Sequence, residues 1–162
     1  MLDMCISIRE FKEYDVPNKV KWINNPDNNR YLHYDLPLEE EKTRQWYYNK
    51  GQNRYDAVIL YNEIPVGLIG LLCISDGQAE YYVTLGENAF KEKGIAKKAT
   101  LLLIQYAKET LGLHTIYLYT EVSNISAQKL FERVGFVRKG LEKASAINQG
   151  KSVDRFYYTL AL

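Results

Sequence analysis

The chain has 162 residues, a length that suits one domain with a substantial core. Hydrophobic residues make up 46% and charged residues 25%, as in an ordinary globular protein. The 21 basic and 20 acidic side chains leave a net charge of +1, which gives no overall attraction to nucleic acid or to an anionic membrane. An anion-binding site must therefore come from local geometry.

The cysteines and the N-terminal sequence favour a reducing compartment. Cys5 and Cys73 are far apart in apolar, strand-like runs and form no CxxC motif, which predicts buried, reduced thiols and neither a metal site nor a disulfide. The N-terminal residues carry charges of both signs, unlike a secretory signal. No apolar run approaches the roughly twenty residues that span a bilayer. We expect one cytoplasmic domain over residues 1–162, with no metal and no membrane or nucleic-acid partner.

In the first half of the chain, apolar residues alternate in some segments and recur at helical spacing in others. Residues 24–29, rich in asparagine with one proline, interrupt the first helical pattern, and a second helix is expected to start at Pro37. The predicted elements are a strand at 5–9, a helix at 15–24, a helix from Pro37 that includes Trp46 and Tyr47, and a hairpin of strands at 54–61 and 64–74.

The second half of the chain alternates strands with amphipathic helices. Asp76-Gly77 predicts a turn into a central strand, and Ser123-Asn124 is typical of a helix N-terminus. The predicted elements are strands at 79–85, 113–121, 137–144 and 152–160, a helix from Ile95 to Leu111, and a helix that ends at Gly135. This order predicts a mixed sheet covered by helices.

The turn from Lys91 to Lys97 joins the central strand to a helix. The first N–H groups of a helix have no partner within it, and the helix dipole makes this end partly positive, so it binds phosphate readily. Gly94 allows close approach of a ligand to the backbone, Ala96 adds little bulk, and four lysines surround the turn. A solvated lysine cluster at an ordinary turn is the competing interpretation.

The region from Ala79 to Phe136 resembles the coenzyme-binding core of the GNAT superfamily of acetyl-CoA-dependent N-acetyltransferases. The turn of that superfamily, Arg/Gln-x-x-Gly-x-Gly/Ala, is matched by Lys91, Gly94 and Ala96. A later signature is matched by Asn124, Ala127, Phe131, Gly135 and Phe136.

Within the superfamily, the chain is most similar to the branch of ribosomal-protein N-terminal acetyltransferases and related amino-sugar and antibiotic acetyltransferases. The strings Leu85-Gly86-Glu87-Asn88 and Lys93-Gly94-Ile95-Ala96 carry this likeness, as does the final segment at residues 150–158. The departures are Lys91 in place of Arg/Gln, and Phe131 where many members have tyrosine. The implied fold is α/β (α+β): a GNAT-type mixed, mostly antiparallel sheet of about six or seven strands flanked by about four helices.

The resemblance implies sites for acetyl-CoA. Backbone N–H groups at the turn would hold the pyrophosphate, and the splayed end of the central strand would offer free backbone groups to pantetheine, although an ordinary strand end is the alternative. Asn124 would cap its helix and also bond the coenzyme, and Phe131 lacks the proton that a tyrosine gives to the leaving thiolate. The implied coenzyme-binding residues are Val83, Thr84, Leu85, Gly86, Lys91, Lys93, Gly94, Ile95, Ala96, Lys97, Asn124 and Phe131.

Glu80, in the central strand, is the sharpest candidate for the base that accepts the amine proton. A carboxylate in a partly dry cleft has a raised pKa, which makes it a better base near neutrality. A strand glutamate paired with lysine or arginine is the competing interpretation. Tyr119 and Glu121 on the next strand are the alternative catalytic residues.

The aromatic-rich first half would supply the acceptor pocket in this superfamily. We expect Trp22, Tyr31, His33 and Tyr34 to contact the acceptor, although a loop histidine is more often structural. The expected acceptor is a primary amine on a small molecule or peptide, such as a protein N-terminus or an amino sugar, and the expected assembly is a monomer or homodimer. The alternative is a coenzyme-binding sensor or partner module that has lost transfer.

Overall fold

The computed structural model describes residues 5–87, 90–91 and 93–162. Asn88 of the string Leu85-Gly86-Glu87-Asn88 and Glu92 of the turn from Lys91 to Lys97 lie outside the described residues. The described strands are β1 (Ile6–Glu10), β2 (Tyr55–Tyr61), β3 (Ile64–Ser75), β4 (Gln78–Leu85), β5 (Thr115–Glu121), β6 (Val137–Asn148) and β7 (Lys151–Ala161). The described α-helices are α1 (Val16–Asn24), α2 (Pro26–Asn29), α3 (Glu40–Asn49), α4 (Ile95–Glu109) and α5 (Ile125–Val134), and a 3₁₀ turn at Glu13–Asp15 precedes α1.

The strands form one sheet in the order β1-β2-β3-β4-β5-β7-β6. Neighbouring strands are antiparallel except β4 and β5, which are parallel because α4 carries the chain from the end of one to the start of the other. The predicted GNAT-type α/β architecture, a mixed and mostly antiparallel sheet flanked by helices, is therefore confirmed.

Each face of the sheet carries its own hydrophobic core. The larger core includes Ile69, Tyr81 and Leu118 and packs against Leu103 of α4 and Phe131 of α5. The smaller core, on the opposite face, is formed by Phe11, Trp22, Ile23, Val58 and Leu68 together with helices α1 and α3. Alternate side chains of one strand enter different cores because successive side chains of a strand point to opposite faces.

Strands β4 and β5 separate part of the way along their length. Their pairing covers Gln78 to Glu80, which lie opposite Thr115 to Tyr117, and ends there. Beyond Glu80, β4 continues to Leu85 while paired with β3 on its other edge. The sheet therefore has a split in its middle, as the resemblance implied.

The first half of the chain differs from the sequence prediction at two helices. Residues 26–29, expected only to end the first helix, form the short helix α2, and the Asn25 side chain accepts a hydrogen bond from the Asp27 backbone N–H, 3.0 Å away. The next helix begins at Glu40 and not at Pro37. The Asn24 amide bonds both backbone groups of Leu38, at 2.7 and 3.0 Å, which holds Leu38 outside a helix.

The prediction that the cysteines are buried is wrong. Cys5 and Cys73 are free, as expected, but both are exposed. Cys73 has a φ of 54° and lies where the register between β3 and β4 shifts, so the regular alternation of side chains does not apply to it. None of the helices in the described ranges is long and apolar enough to cross a membrane.

Candidate active site

A cleft of about 1240 Å³ opens where β4 and β5 separate. Its walls come from the N-terminus of α4, the first turns of α5, the split ends of β4 and β5, and the loop after α2. The split connects the two faces of the sheet, so a long ligand lying against α4 and α5 can present its reactive end to the opposite face. This geometry suits a reaction between two substrates that approach from different sides.

Helix α4 begins at the cleft with its first turn unblocked. Gly94, the N-cap, has a φ of 76°, a left-handed conformation that glycine adopts without strain, and a Cβ built on it would meet no atom within 4 Å. The first intrahelical bond from this end runs from the Lys98 N–H to the Gly94 carbonyl at 3.1 Å. The N–H groups of Ile95, Ala96 and Lys97 precede it, and all three residues line the cleft.

Positive charge surrounds this helix end on the coenzyme side of the cleft. Lys97, Lys129 and Arg133 line the wall. Lys93 is exposed beside the turn but does not line the cleft. The Lys91 ammonium donates to the Asn28 side chain at 2.5 Å and to the Asp27 carbonyl at 3.4 Å, so it fastens the turn to α2.

The split end of β4 offers a row of backbone groups as far as Leu85. Val83, Thr84 and Leu85, which were expected to bind pantetheine, line the cleft. Gly86 does not: its N–H bonds the Val66 carbonyl at 2.7 Å, and its carbonyl accepts the Asn28 amide at 3.0 Å. The expected pantetheine contact at Gly86 is therefore corrected, because both of its backbone groups are already used.

Trp22 also differs from its expected role. Its side chain is 1% exposed in the smaller core, its indole N–H bonds Glu87 at 2.9 Å, and its ring occupies the space that a Cβ on Gly86 would need. Trp22 therefore supports the end of β4 from behind and does not contact an acceptor in the cleft. A tryptophan at helical spacing carries the same sequence signal in a core as on a binding surface.

Glu80 lies at the point where the two strands part. Its side chain faces the same side of the sheet as Tyr82, and it lines the cleft opposite Tyr117 of β5. Partial burial raises the pKa of Glu80, and the nearby positive charge of Arg155 partly offsets this. A carboxyl group with a raised pKa at the opening between the two faces is suited to accept a proton from an attacking amine.

Tyr119 and Glu121 occupy the same face of β5 and differ in their surroundings. Desolvation raises the pKa of Tyr119, and negative charge at Glu142 adds to the effect, so the phenol stays protonated and can only donate a proton near neutrality. Glu121 is 7% exposed and accepts hydrogen bonds from His33 at 2.9 Å and from Asn148 at 2.6 Å. Glu121 is thus arranged to hold the surrounding segments together.

The loop after α2 closes the acceptor side of the cleft. His33 binds Glu121, and the Tyr31 hydroxyl donates to the Ser123 carbonyl at 3.1 Å. Tyr34 also lines the cleft, with its side chain 40% exposed. Of the four residues expected to contact the acceptor, the structure brings Tyr31, His33 and Tyr34 to the cleft.

Helix α5 contributes two of the predicted residues. The Asn124 side chain accepts the Ala127 backbone N–H at 3.3 Å, which confirms it as the helix cap, and Asn124 also lines the cleft. Phe131 reaches the cleft from the larger core, where its ring meets Tyr81 edge-on with centroids 5.7 Å apart. The Tyr81 hydroxyl is buried and bonded to Thr100 at 2.6 Å, and desolvation raises its pKa.

Sequence reasoning missed several cleft residues that the structure shows, among them Asn28 and Arg155. Asn28 joins α2 to the end of β4 and to Lys91, but an asparagine in a turn-rich run gave no signal of this role. Arg155 belongs to the C-terminal segment that carries the likeness to the ribosomal-protein branch. The sequence therefore drew attention to this segment but did not indicate that the Arg155 side chain faces the cleft. No group of residues suited to hold a metal ion occurs among those that the structure describes.

The sequence matches the family model described as the acetyltransferase (GNAT) domain over residues 6–137. It is 23% identical to the uncharacterized N-acetyltransferase YnaD of Bacillus subtilis (strain 168), with 94% of this chain and 91% of the relative covered. It is 27% identical to the spermidine N(1)-acetyltransferase of Vibrio cholerae serotype O1, with 85% of this chain and 86% of the relative covered.

The fold is shared with solved structures as well. The crystal structure of spermidine N-acetyltransferase from Vibrio cholerae, in complex with CoA and spermine, superposes with a TM-score of 0.89. The sequence identity to that protein is 22%, and the match covers 96% of this chain and 95% of the other. With the split sheet, the open N-terminus of α4 and the family match in agreement, the chain belongs to the GNAT family of acetyltransferases.

Proposed function

We propose that this GNAT acetyltransferase transfers the acetyl group of acetyl-CoA directly to a primary amine while both substrates are bound. The observation that carries the proposal is the split between β4 and β5, with Glu80 at its opening and the unblocked first turn of α4 beside it. The solved structure of the Vibrio cholerae enzyme contains both CoA and the amine spermine, which supports the binding of a coenzyme and an amine by one chain of this fold.

The residues present fit the coenzyme. The N–H groups of Ile95, Ala96 and Lys97 would hold the pyrophosphate, with Lys97 nearby as a counter-charge. Backbone groups of β4 from Val83 to Leu85 would bond the pantetheine amides along the edge that β5 has left. Acetyl-CoA supplies an activated acyl group when bound, and the protein directs it toward the split.

Transfer then needs one bond formed and one broken. The amine nitrogen bonds to the acetyl carbon as the carbon–sulfur bond breaks, Glu80 takes the proton that the amine loses, and the sulfur leaves as a thiol after gaining a proton. Phe131 has no hydroxyl, so we assign the second proton transfer to Tyr119, a protonated side chain that lines the cleft on the same face as Glu80. A thiolate is also a fair leaving group near neutrality, since a free thiol has a pKa of about 8.5.

The acceptor class within this proposal is that of primary amines, which include protein N-termini, amino sugars, polyamines and amino acids. The experiment is release of CoA thiol from acetyl-CoA in the presence of each amine, with the wild-type protein and Glu80→Gln. Because a general base contributes about 10² to 10⁴ in rate, we expect Glu80→Gln to lose turnover by that factor while its affinity for acetyl-CoA changes little. Full activity in Glu80→Gln would place the base elsewhere.

A second candidate is a coenzyme-binding sensor or partner module, and Phe131 in place of tyrosine is the observation that favours it. Such a module would bind acetyl-CoA at the α4 turn without consuming it. Calorimetric binding of acetyl-CoA, together with no thiol release for any amine, would select this alternative.

A further inference from the structure

The charged groups on the acceptor side of the cleft are largely paired with one another. Arg54 forms a two-point ion pair with Asp56, with both nitrogen–oxygen distances at 2.7 Å. Glu121 is bonded to His33 and Asn148. Among the described residues, Glu80, the proposed base, and Arg155 have no such ion-pair partner. Across the described part of the chain, Arg155 forms no ion pair with an acidic side chain.

Arg155 is nevertheless held in a fixed orientation. Its Nε donates to the Ser145 hydroxyl and one terminal nitrogen donates to the Ser145 carbonyl, both at 3.0 Å. Its guanidinium lies over the Tyr119 ring, with Cζ 4.6 Å from the ring centroid. These contacts use two of the three guanidinium nitrogens, and the side chain lines the cleft. Glu121 and Glu142 lie opposite Arg155 on the neighbouring strands, but the described residues show no ion pair between either of them and Arg155. A partly buried guanidinium that is fixed by its neighbours and keeps one terminal nitrogen unused is suited to bind an anionic group of a ligand.

Strand register gives the spacing between this cation and the reaction point. On β5, Tyr117 lies opposite Glu80 and Glu121 lies opposite Arg155, with Tyr119 midway between them. The Arg155 guanidinium covers Tyr119, which is two residues along β5 from Tyr117, the residue opposite Glu80. The guanidinium and Glu80 are therefore on the order of 7 Å apart along the strand direction. A small molecule with adjacent amine and acid groups can span such a gap. Its acid group would accept a hydrogen bond of about 2.8 Å from Arg155, and its amine would donate one of similar length to Glu80.

We propose that Arg155 determines acceptor specificity by binding a carboxylate on the amine substrate, so the acceptor is an amino acid and not a polycation. This inference rests on the proposed acetyltransferase function. A carboxylate matches the planar guanidinium and carries one charge, whereas a phosphate would bring additional negative charge close to Glu80 and Glu121. Binding of the carboxylate would also place the amine beside Glu80.

The test compares acceptors that differ only in the carboxylate. A panel of amino acids, each paired with its own amide, is assayed by CoA thiol release, and rates are expressed per unprotonated amine because the amide lowers the amine pKa. Spermidine, phosphoethanolamine and ethanolamine complete the panel. We expect kcat/KM for the best amino acid to exceed that of its amide by at least tenfold, or about 1.4 kcal/mol.

Arg155→Gln should lower kcat/KM for that amino acid at least tenfold, mainly by raising KM. The kcat/KM of the amino acid divided by that of its amide should then be close to one. Arg155→Lys should keep part of the preference, since the charge remains without the two-point geometry. Arg138→Gln is the matched control, because Arg138 also stacks on an aromatic ring, with Cζ 3.7 Å from the Phe156 centroid, but does not line the cleft. In Arg138→Gln, the ratio of kcat/KM for the amino acid to kcat/KM for its amide should equal the wild-type ratio.

Each other outcome identifies which idea fails. Equal turnover of acids and amides, or a preference for spermidine that Arg155→Gln does not change, overturns the carboxylate assignment and leaves the acetyltransferase function standing. A preference for phosphoethanolamine over every amino acid would place a phosphate at Arg155 and overturn it too. Absence of transfer to any amine, with acetyl-CoA bound, overturns the proposed function itself. If Arg155→Gln does not fold, the wild-type ratios and Arg155→Lys still decide.

Discussion

At the scale of single residues, Glu80 and Arg155 form no ion pair with each other, but the charge of Arg155 influences Glu80 across the cleft. Burial raises the pKa of Glu80, and the charge of Arg155 lowers it in part. A base must be deprotonated to act, so the rate falls as the pH drops through the pKa of Glu80.

We predict that the acidic limb of the pH profile of kcat/KM lies above the ordinary range of a glutamate and is absent in Glu80→Gln. In Arg155→Gln the limb should move to higher pH, because removal of a positive charge disfavours the ionised carboxylate. The profile is measured with an amino acid amide as acceptor. Because the amide has no carboxylate, the loss of carboxylate binding in Arg155→Gln does not affect the profile. A limb that stays in place in both variants would show that another group titrates.

Phe131 tests how the leaving sulfur obtains its proton. Its ring is 7% exposed and lines the cleft, so a hydroxyl added to it would stand at the cleft wall. We predict that Phe131→Tyr leaves turnover unchanged or raises it mildly if Tyr119 or water already supplies the proton. Tyr119→Phe is the complementary variant and should slow the chemical step in single-turnover measurements. Combining the two substitutions should restore the rate, because the new tyrosine replaces the lost one.

At the scale of elements, we propose that the turn into α4 controls coenzyme binding. Gly94 has a φ of 76°, and Gly112, which lies beyond the other end of the same helix, has a φ of 65°. A Cβ at either position would meet no atom within 4 Å. Alanine at either position has the same backbone strain, of about 1 kcal/mol, but only Gly94 lines the cleft.

We predict that Gly94→Ala and Gly112→Ala lose similar free energies of unfolding in urea. Calorimetry should show at least a tenfold loss of acetyl-CoA affinity in Gly94→Ala, because its methyl group stands where the backbone must approach the phosphate. Gly112→Ala should bind as the wild type does. Equal affinities for the two variants would remove the pyrophosphate from this turn.

The ties between elements explain why the acceptor side keeps its shape. Glu121 at the end of β5 binds the loop after α2 through His33 and the β6–β7 turn through Asn148. Asn28 similarly joins α2 to the end of β4 and to Lys91 at the coenzyme turn. The two halves of the cleft are thus connected through hydrogen bonds at both of its ends.

At the scale of the whole molecule, a buried ionic group links the sheet to α3. Burial alone would raise the pKa of Asp56, but hydrogen bonds from Arg54 and Tyr82 and the charges of Arg54 and Lys50 lower it to about 2. The carboxylate is 2% exposed, so its pairing contributes to global stability. Since the folded pKa lies below the ordinary value of 3.8, this stability is complete above about pH 4 and is lost as the pH falls through about 2.

We predict that Asp56→Asn lowers the free energy of unfolding at pH 7 by about 3 kcal/mol, because Arg54 and Lys50 keep buried charge without a partner. The difference from wild type should shrink by about 2 kcal/mol between pH 5 and pH 2. Urea denaturation across this range measures both effects. Glu39→Gln, which removes an exposed ion pair with Lys42, should change stability by less than about 1 kcal/mol. A difference independent of pH would contradict the assignment.

The sequence by itself determined the order of the strands and the longer helices and the position of the turn into α4. Alternation and helical spacing are local properties, so the strands, the hairpin at Asn62-Glu63 and the cap at Asn124 could be predicted without tertiary information. The start of α3 could not, because the Asn24 side chain that fixes Leu38 lies fourteen residues earlier. The oligomeric state, the cytoplasmic location and the finer branch of the family stay predictions.

Only the tertiary structure decided which side chains face the cleft. Trp22 is spaced like a binding aromatic but enters the core, since packing against Gly86 depends on contacts between distant segments. Arg155 and Glu80 are far apart in the chain, and the two come to share one opening because β4, β5 and β7 are neighbours in the sheet. Local patterns determine which elements form, whereas pairing between distant strands determines which charges meet. The proposed acceptor-binding side of the cleft is made of such long-range pairs.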